Sequence, residues 1–154
     1  MTDEYFAGLF DGEGCVSITQ RKQNRNKFDV RLTIGVADKH ISSLLKEKYG
    51  GNTRIDKRIK NGKPCRDIYI WNVVGFKSTE FLRKIKPFVI IKKIQVEAAL
   101  ALREIQENFQ FRKPKHISGK FIIGHGLTKE EFEDRLKLKK IVKEANYGKQ
   151  TIIN

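Results

Sequence analysis

The chain is short and strongly basic: 154 residues carry 32 lysines and arginines against 18 acidic residues, a net charge of +14. Hydrophobic residues at 39% and charged residues at 32% are typical of a soluble globular protein, and no apolar run reaches the roughly 20 residues of a membrane-spanning helix. Two cysteines and three scattered histidines give no disulfide framework and no visible zinc site. The excess positive charge favours a polyanionic partner, above all a nucleic acid, over a solvated basic surface without a partner and over an anionic membrane.

The first predicted element is a helix that begins near Thr2, a capping residue, and ends in the stretch FAGLFDGEG (residues 6–14). This stretch is a poor helix former, because each glycine costs about 1 kcal/mol of helix propensity. Asp11 and Glu13 also place negative charge at the C-terminal end, where it opposes the helix dipole. A sequence this unfavourable indicates that the end of the helix has a functional role.

Alternating apolar and polar residues predict a first antiparallel hairpin from two segments, CVSITQRK (15–22) and FDVRLTIGV (28–36). In the second segment the apolar side chains share one face, which predicts a strand with one buried and one exposed side. Asp38 can then cap a helix over residues 39–49, which the glycine pair that follows can end.

A second hairpin is predicted from two further segments, NTRIDKRIK (52–60) and RDIYIWNV (66–73). In the last strand the alternation predicts Ile68 and Ile70 on the buried side. Tyr69 and Trp71 are then expected to face outward.

Three helices complete the prediction, over residues 76–85, residues 89–109 and a last segment from about 128 to 146. Pro87 separates the first two, and a basic loop, RKPKHISGKFIIGHG, with a short extended piece at 121–123, precedes the last. Thr128 and Glu131 can form a capping box at its start. The elements together predict one α+β domain over residues 1–154, with a C-terminal helical extension at about 127–147.

The outward side chains of the four predicted strands are hydrogen-bonding, cationic or aromatic, and such groups can contact base edges and phosphates. A strand of this length covers about 9 base pairs, because its rise of about 3.3 Å per residue is close to the 3.4 Å spacing of bases. The residues predicted to contact nucleic acid are Ser17, Thr19, Arg21, Gln23, Arg25, Asp29, Arg31, Thr33, Asn52, Arg54, Arg58, Tyr69 and Trp71.

The stretch FAGLFDGEG resembles the motif of the LAGLIDADG homing endonucleases. Identical residues are Ala7, Gly8, Leu9 and Asp11, and conservative replacements are Phe6, Phe10 and Glu13. Gly12 replaces an alanine of the family pattern, which keeps that position small. The predicted element order also resembles the αββαββα domain of that family over most of the chain. The resemblance implies a homing-endonuclease-like domain whose four-stranded antiparallel sheet binds DNA.

The single motif implies a homodimer, since relatives with two motifs carry two domains in one longer chain. Gly8 and Gly12 are four residues apart and line one helix face, where they let the backbone of a partner helix approach closely. Two sheets would then contact a pseudo-palindromic DNA site of about twice 9 base pairs, roughly 20 in all.

The resemblance also implies Mg²⁺-dependent hydrolysis of one phosphodiester in each DNA strand, across the minor groove, leaving short 3′ overhangs. Glu13 from each subunit and the Gly12 carbonyl are the implied metal ligands. Lys92 follows a Pro-Phe segment, as the family's active-site lysine does, and is expected to stabilise developing charge; Lys93 is the alternative. Asp38 lies where relatives often place a water-positioning residue, although capping the next helix is the stronger expectation.

Two functions without DNA cleavage are compatible with the same fold: an RNA-binding maturase that assists intron splicing, and a DNA-binding regulator with a degenerate motif. The retained Glu13 carboxylate favours the intron-encoded endonuclease over both. Abundant lysine and isoleucine are typical of AT-rich genomes. We therefore expect an intracellular protein of organellar (mitochondrial or chloroplast) or phage origin, with no membrane partner.

Overall fold

The structure is a computed structural model that describes residues 1–22, 24–57, 59–60, 63–111 and 128–148. The elements, in chain order, are α1 (Asp3–Glu13), β1 (Gly14–Gln20), β2 (Phe28–Val36), α2 (Lys39–Tyr49), β3 (Asn52–Asp56), β4 (Ile59–Lys60), β5 (Lys63–Pro64), β6 (Ile68–Val74), α3 (Phe76–Ile85), a short 3₁₀ helix (Lys86–Phe88), α4 (Lys93–Phe111) and α5 (Lys129–Asn146). Gln23, Arg58 and the predicted basic loop with its extended piece at 121–123 lie outside the described residues.

The predicted bounds of β2, α2 and α3 agree with the structure. The third predicted strand is shorter, because β3 ends at Asp56 and β4 pairs with β5 in a separate small hairpin. The helix predicted from residue 89 begins only at Lys93. The backbone N–H groups just before it bind the side chain of Asp11 instead of extending the helix.

Four strands form one antiparallel sheet in the order β1-β2-β6-β3, as the two predicted hairpins require. The register places Val16 opposite Leu32 and Leu32 opposite Val73, so the buried side chains of neighbouring strands face the same side. Helices α1, α2 and α3 pack on that side. The opposite side, which we call the outer face, carries the alternate residues of all four strands.

Aromatic rings form the centre of the core between the sheet and the helices. Trp71 is fully buried, and Phe81 lies between it and Phe10, at ring-centroid distances of 5.2 and 5.5 Å. The indole N–H of Trp71 donates to the carbonyl of Gly50 at 2.7 Å, which satisfies the polar atom of this side chain within the core.

The prediction for the two faces of β6 is therefore wrong. Trp71 pairs with Ile34, a buried residue of β2, so Trp71 and Tyr69 face the core while Ile68 and Ile70 lie on the outer face. This strand carries apolar residues on both faces, so its alternation does not choose between them. Burial of the larger aromatic surface removes more apolar area from water and decides the orientation.

Side-chain hydrogen bonds fix the beginning of α1. Thr2 caps the helix as predicted, because its hydroxyl accepts from the backbone N–H of Tyr5 at 3.4 Å. The carboxylate of Asp3 accepts from the ammonium of Lys48 at 2.8 Å and from the hydroxyl of Tyr49 at 2.6 Å. These hydrogen bonds hold the pKa of Asp3 below its usual value, and they join α1 to α2.

Gly14 fixes the other end of α1. Its N–H donates to the carbonyl of Phe10, and β1 begins at Gly14 itself. A Cβ atom at this position would lie 2.3 Å from a ring carbon of Phe10, so only glycine fits. Glu13 is consequently held at the junction between α1 and β1.

Helix α5 lies along β1, the edge strand of the sheet. The predicted capping box is present: Glu131 N–H donates to the Thr128 hydroxyl and Thr128 N–H donates to the Glu131 carboxylate, both at 3.1 Å. At the other end of the helix the side chain of Asn146 donates to the carbonyl of Val16 at 2.7 Å. Over the residues described, no helix is long and apolar enough to span a membrane.

Candidate active site and nucleic-acid interface

Asp11 ties the last turn of α1 to the segment that precedes α4. Its carboxylate accepts hydrogen bonds from the backbone N–H groups of Ile90 at 2.7 Å, Ile91 at 3.2 Å and Lys92 at 3.0 Å. The side chain is only 8% exposed. The carboxylate that opposes the dipole of α1 thus lies at the positive end of α4, where negative charge is stabilising.

Lys92 lies beside the C-terminal end of α1. Its ammonium donates to the backbone carbonyl of Asp11, one of the last carbonyls of the helix, and the side chain is half-buried. A cation in this place complements the negative end of the α1 dipole. Lys93, the predicted alternative, is the exposed first residue of α4. The structure therefore brings Lys92 to the end of the motif helix, and Asp11 contacts both its backbone and its side chain.

Glu13 and Gly12 form the exposed tip of α1. Backbone carbonyls in the last turn of a helix lack intrahelical donors, so the Gly12 carbonyl can serve as an oxygen ligand beside the Glu13 carboxylate. Oxygen ligands of this kind suit Mg²⁺, which is commonly held by one or two carboxylates together with substrate phosphates. In the described part of the chain no three acidic, histidine or cysteine side chains form a metal-binding group. The residues present fit Mg²⁺ only as part of a site completed by other molecules.

One face of α1 is bare. A Cβ atom added at Gly8 or Gly12 would meet no heavy atom within 4 Å, and both glycines are exposed. The adjacent segment before α4 exposes two large apolar side chains, Ile90 at 83% and Ile91 at 74%. The two isoleucines and the glycine-lined helix face therefore form an apolar part of the protomer surface that no described residue covers. We call the surface formed by these four residues the α1 seam.

Asp38 caps α2, as expected from the sequence. Its carboxylate accepts from the backbone N–H of His40 at 2.7 Å, and the side chain is exposed. Because Gly14 pairs with Ile34 near the end of β2, Asp38 lies at the same end of the sheet as Glu13. The structure thus assigns the capping role, and the water-positioning role stays a prediction.

Most residues predicted to contact nucleic acid lie on the outer face or at its β1–β2 turn. Those on the strands are Ser17, Thr19, Asp29, Arg31, Thr33, Asn52 and Arg54, and those in the segment between β1 and β2 are Arg21 and Arg25. Gln23 and Arg58, also predicted, lie outside the described residues. Tyr69 and Trp71 do not belong to this surface, because both point into the core.

Some polar groups of the outer face are already engaged within the sheet. Arg21 binds Asp29 through both carboxylate oxygens, at 2.5 and 3.0 Å, and this contact raises the pKa of Arg21 above its usual value. The Ser17 hydroxyl donates to the carbonyl of Arg31 at 3.4 Å. The side chains of Arg31 and Arg54 are exposed, so they are placed to contact an anion that approaches this face.

The residues that β6 contributes to the outer face were not predicted from the sequence. Tyr69 and Trp71 were predicted on this face. The structure instead places four other residues of β6 there: Ile68, Ile70, Asn72 and Val74. Asn72 was the available signal, because it is the one residue in IYIWNVV whose side chain is neither aliphatic nor aromatic and can therefore mark the exposed phase of the strand. Its pairing with Thr33 on one side and Asn52 on the other puts it in the middle of the sheet.

The comparison with known proteins rests on the fold, since the sequence matches no protein-family model and no curated protein at a significant level. A structure of the homing endonuclease I-CvuI in complex with its target and Ca is similar at a TM-score of 0.51 and 15% identity, over 94% of this chain and 94% of that chain. The LAGLIDADG meganuclease I-AabMI, bound to uncleaved DNA, is similar at 0.59 and 18%, over 90% of this chain and 43% of its own. I-SmaMI, bound to an uncleaved DNA target with calcium ions, is similar at 0.58 and 17%, over 100% and 51%.

These similarities define the class of structure. The chain has the α+β fold of the LAGLIDADG homing endonucleases, as its motif and element order predicted. It spans nearly the full length of I-CvuI and about half the length of I-AabMI and I-SmaMI.

Proposed function

We propose that this protein is a homing endonuclease that binds a long double-stranded DNA site as a homodimer and cuts both strands with Mg²⁺. The observation that carries the proposal is the position of Glu13, an exposed carboxylate at the tip of a glycine-lined helix. Asp11 and Lys92 hold that tip in place, and the basic outer face begins immediately after it.

The α1 seam supports the homodimer. Two α1 helices can approach closely where Gly8 and Gly12 face each other, because neither position carries a side chain. The exposed Ile90 and Ile91 lie beside this face and become buried when a second copy covers them. Since the fold occurs over about half of I-AabMI and I-SmaMI, two copies supply an assembly of comparable size.

Shape and charge support DNA as the partner. The strand β2 has 9 residues. At about 3.3 Å per residue it runs along roughly 9 base pairs, and two sheets would cover about 20. The net charge of +14 complements the phosphates along such a site. I-CvuI is in complex with its target and I-AabMI and I-SmaMI are bound to uncleaved DNA, and DNA is the partner proposed for this chain.

Each group at or near the tip of α1 has a role in the proposed reaction. Glu13 of each protomer and the Gly12 carbonyl hold the metal ion, which when bound polarises the phosphate and lowers the pKa of the attacking water. The paired carboxylates repel each other without a cation, so the site favours a divalent ion. The Lys92 ammonium stabilises negative charge that develops on the phosphate, and Asp38 orients water at the same end of the sheet.

The alternative of an RNA-binding maturase has no observation of its own among the described residues. An exposed carboxylate at a dimer contact is unfavourable for a protein that only binds a polyanion, because it repels the ligand. We therefore retain the endonuclease as the proposed activity, and an organellar or phage origin remains a prediction.

The test uses duplexes recovered by selection from a randomised DNA pool with the full chain in Ca²⁺. We expect the wild-type protein to cut them in Mg²⁺ and Glu13→Gln to lose cutting by several orders of magnitude, because the metal then lacks its carboxylate ligands. Gel-shift affinity should be retained, since the basic outer face supplies most of the binding free energy.

The matched control is Glu104→Gln, which removes an exposed carboxylate from α4. This variant should cut like the wild type. Undiminished Mg²⁺-dependent cutting by Glu13→Gln would contradict the proposed site, and absence of DNA binding by the wild type would contradict the function.

A further inference from the structure

The strands of the outer face align their side chains in rows. The register gives one continuous row across all four strands, from β1 to β3, formed by Cys15, Thr33, Asn72 and Asn52. No member of this row carries a charge. Cys15 follows Glu13 by two residues, so on β1 this row is the nearest to the proposed cutting centre.

The neighbouring rows on both sides contain an arginine paired with an apolar residue of β6. On one side Arg31 is opposite Val74, which is 40% exposed, and on the other side Arg54 is opposite Ile70. Successive rows on one face are two residues apart, about 7 Å, or roughly two base pairs. The strand β6 thus presents an amide between two apolar side chains, flanked by two cations.

The amide of Asn72 has a hydrogen-bond donor and an acceptor that can bind a base. Its Nδ2 atom donates one hydrogen bond to the carbonyl of Asn52 at 3.3 Å. An asparagine amide has two N–H donors and a carbonyl acceptor, so a second donor and the acceptor remain for a ligand. Adenine offers the complementary pair in the major groove, an N6 donor beside the N7 acceptor, whereas guanine offers two acceptors.

We infer that β6 is a specificity strand in which Asn72 binds an adenine and the adjacent Ile70 and Val74 contact thymine methyl groups. Each half-site then contains a short A·T-rich block next to the cutting centre. Arg31 and Arg54 lie in the same rows as Val74 and Ile70, and they contact the phosphates beside this block. This inference rests on the proposed DNA-binding function and names the class of sequence that the function requires.

The experiment compares the sequences that the full-length wild type and its variants select from randomised duplexes in Ca²⁺. We expect Asn72→Ala to lose the preference for adenine at one position of each half-site by about 5- to 100-fold, while the other positions keep theirs. Asn72→Arg should instead change that position to guanine, because an arginine donates to both guanine acceptors.

The matched control is Thr53→Ala. Thr53 is exposed on β3 but pairs with Trp71 and therefore lies on the opposite side of the sheet from the outer face. This variant should select the wild-type sequence, and thermal melts should show that all variants are folded.

Two results would contradict the inference in different ways. If the wild type selects a defined sequence and both Asn72 variants select that same sequence, the specificity role assigned to β6 is wrong and the proposed function stands. If the wild type selects no sequence at all, the proposed function fails and the inference fails with it.

Discussion

Asp11 makes an otherwise unfavourable helix end stable. At the C-terminal end of α1 a carboxylate costs free energy, but this one points away from its own helix and binds three backbone N–H groups that precede α4. Lys92 supplies a positive charge to the same helix end. The two acids of FAGLFDGEG therefore have different environments: Asp11 is buried and bonded, and Glu13 is exposed.

Replacing Asp11 with Asn should weaken both the fold and the proposed reaction. An amide can accept through only one atom, and its NH₂ group faces N–H donors, so we expect a loss of about 1 to 3 kcal/mol in the free energy of unfolding. The backbone position of Lys92 then changes, and the single-turnover cutting rate falls while affinity for DNA in Ca²⁺ is retained.

Thermal unfolding and single-turnover cutting below the melting temperature check this prediction. The control is Asp134→Asn, which removes an exposed carboxylate from α5 and should change neither quantity. An Asp11→Asn protein that cuts at the wild-type rate would show that the proposed role of Lys92 does not depend on the hydrogen bonds of the Asp11 carboxylate.

Helix α1 connects three parts of the molecule. Its first turn binds α2 through Asp3, its last turn binds the segment before α4 through Asp11, and its inner face packs on the core through Phe6 and Phe10. At Gly8 and Gly12 an added Cβ atom would meet no heavy atom within 4 Å, so the described residues leave this part of the helix uncovered. These contacts fix both ends and the inner face of α1 within the protomer, which suits the proposed roles of its tip and of its uncovered face.

Gly8→Leu should separate the stability of the protomer from that of the dimer. The Cβ atom of a leucine at Gly8 would meet no heavy atom within 4 Å in the protomer, and replacing a helical glycine stabilises the fold by about 0.5 to 1 kcal/mol. The same side chain blocks the close approach of two helices, so the dimer should dissociate and cutting should fall.

Sedimentation at micromolar concentration together with thermal melts measures both effects. Ser43→Leu, which adds the same side chain at an exposed position of α2, is the control and should leave the dimer intact. An unchanged dimer in the Gly8→Leu variant would place the protein–protein contact elsewhere than the α1 seam.

The charge of the whole molecule predicts how binding depends on salt. If each dimer neutralises about 6 to 10 phosphates, affinity should fall by about 10³- to 10⁵-fold between roughly 50 and 200 mM salt. Arg25, exposed in the β1–β2 turn, is a candidate phosphate contact, and Arg25→Ala should reduce the slope by about one for each protomer. Titrations of the selected duplex at several salt concentrations measure the slope.

The control for this experiment is Lys77→Ala on α3, a helix on the side of the sheet opposite the outer face. It removes the same charge from the molecule as Arg25→Ala does. An equal change of slope in both variants would show that net charge alone, rather than the outer face, governs binding.

Local patterns were sufficient for much of this structure. Strict alternation in FDVRLTIGV determined the bounds and the buried side of β2, and Thr128 with Glu131 determined the start of α5. The motif FAGLFDGEG and the order of the elements indicated the fold. For β2 and for the start of α5 the signal lies within about ten residues of chain, and the physical cause is local: side-chain periodicity in one case and the hydrogen bonds of a helix cap in the other.

The tertiary structure alone decided two other features. In IYIWNVV both faces are apolar, so the outer position of Asn72 depends on pairing with β2 and on the pocket that the helices form around Trp71. The role of Asp11 depends on N–H groups that lie 79 to 81 residues later in the chain. No periodicity can reveal such partners, because packing, rather than sequence proximity, brings these groups together.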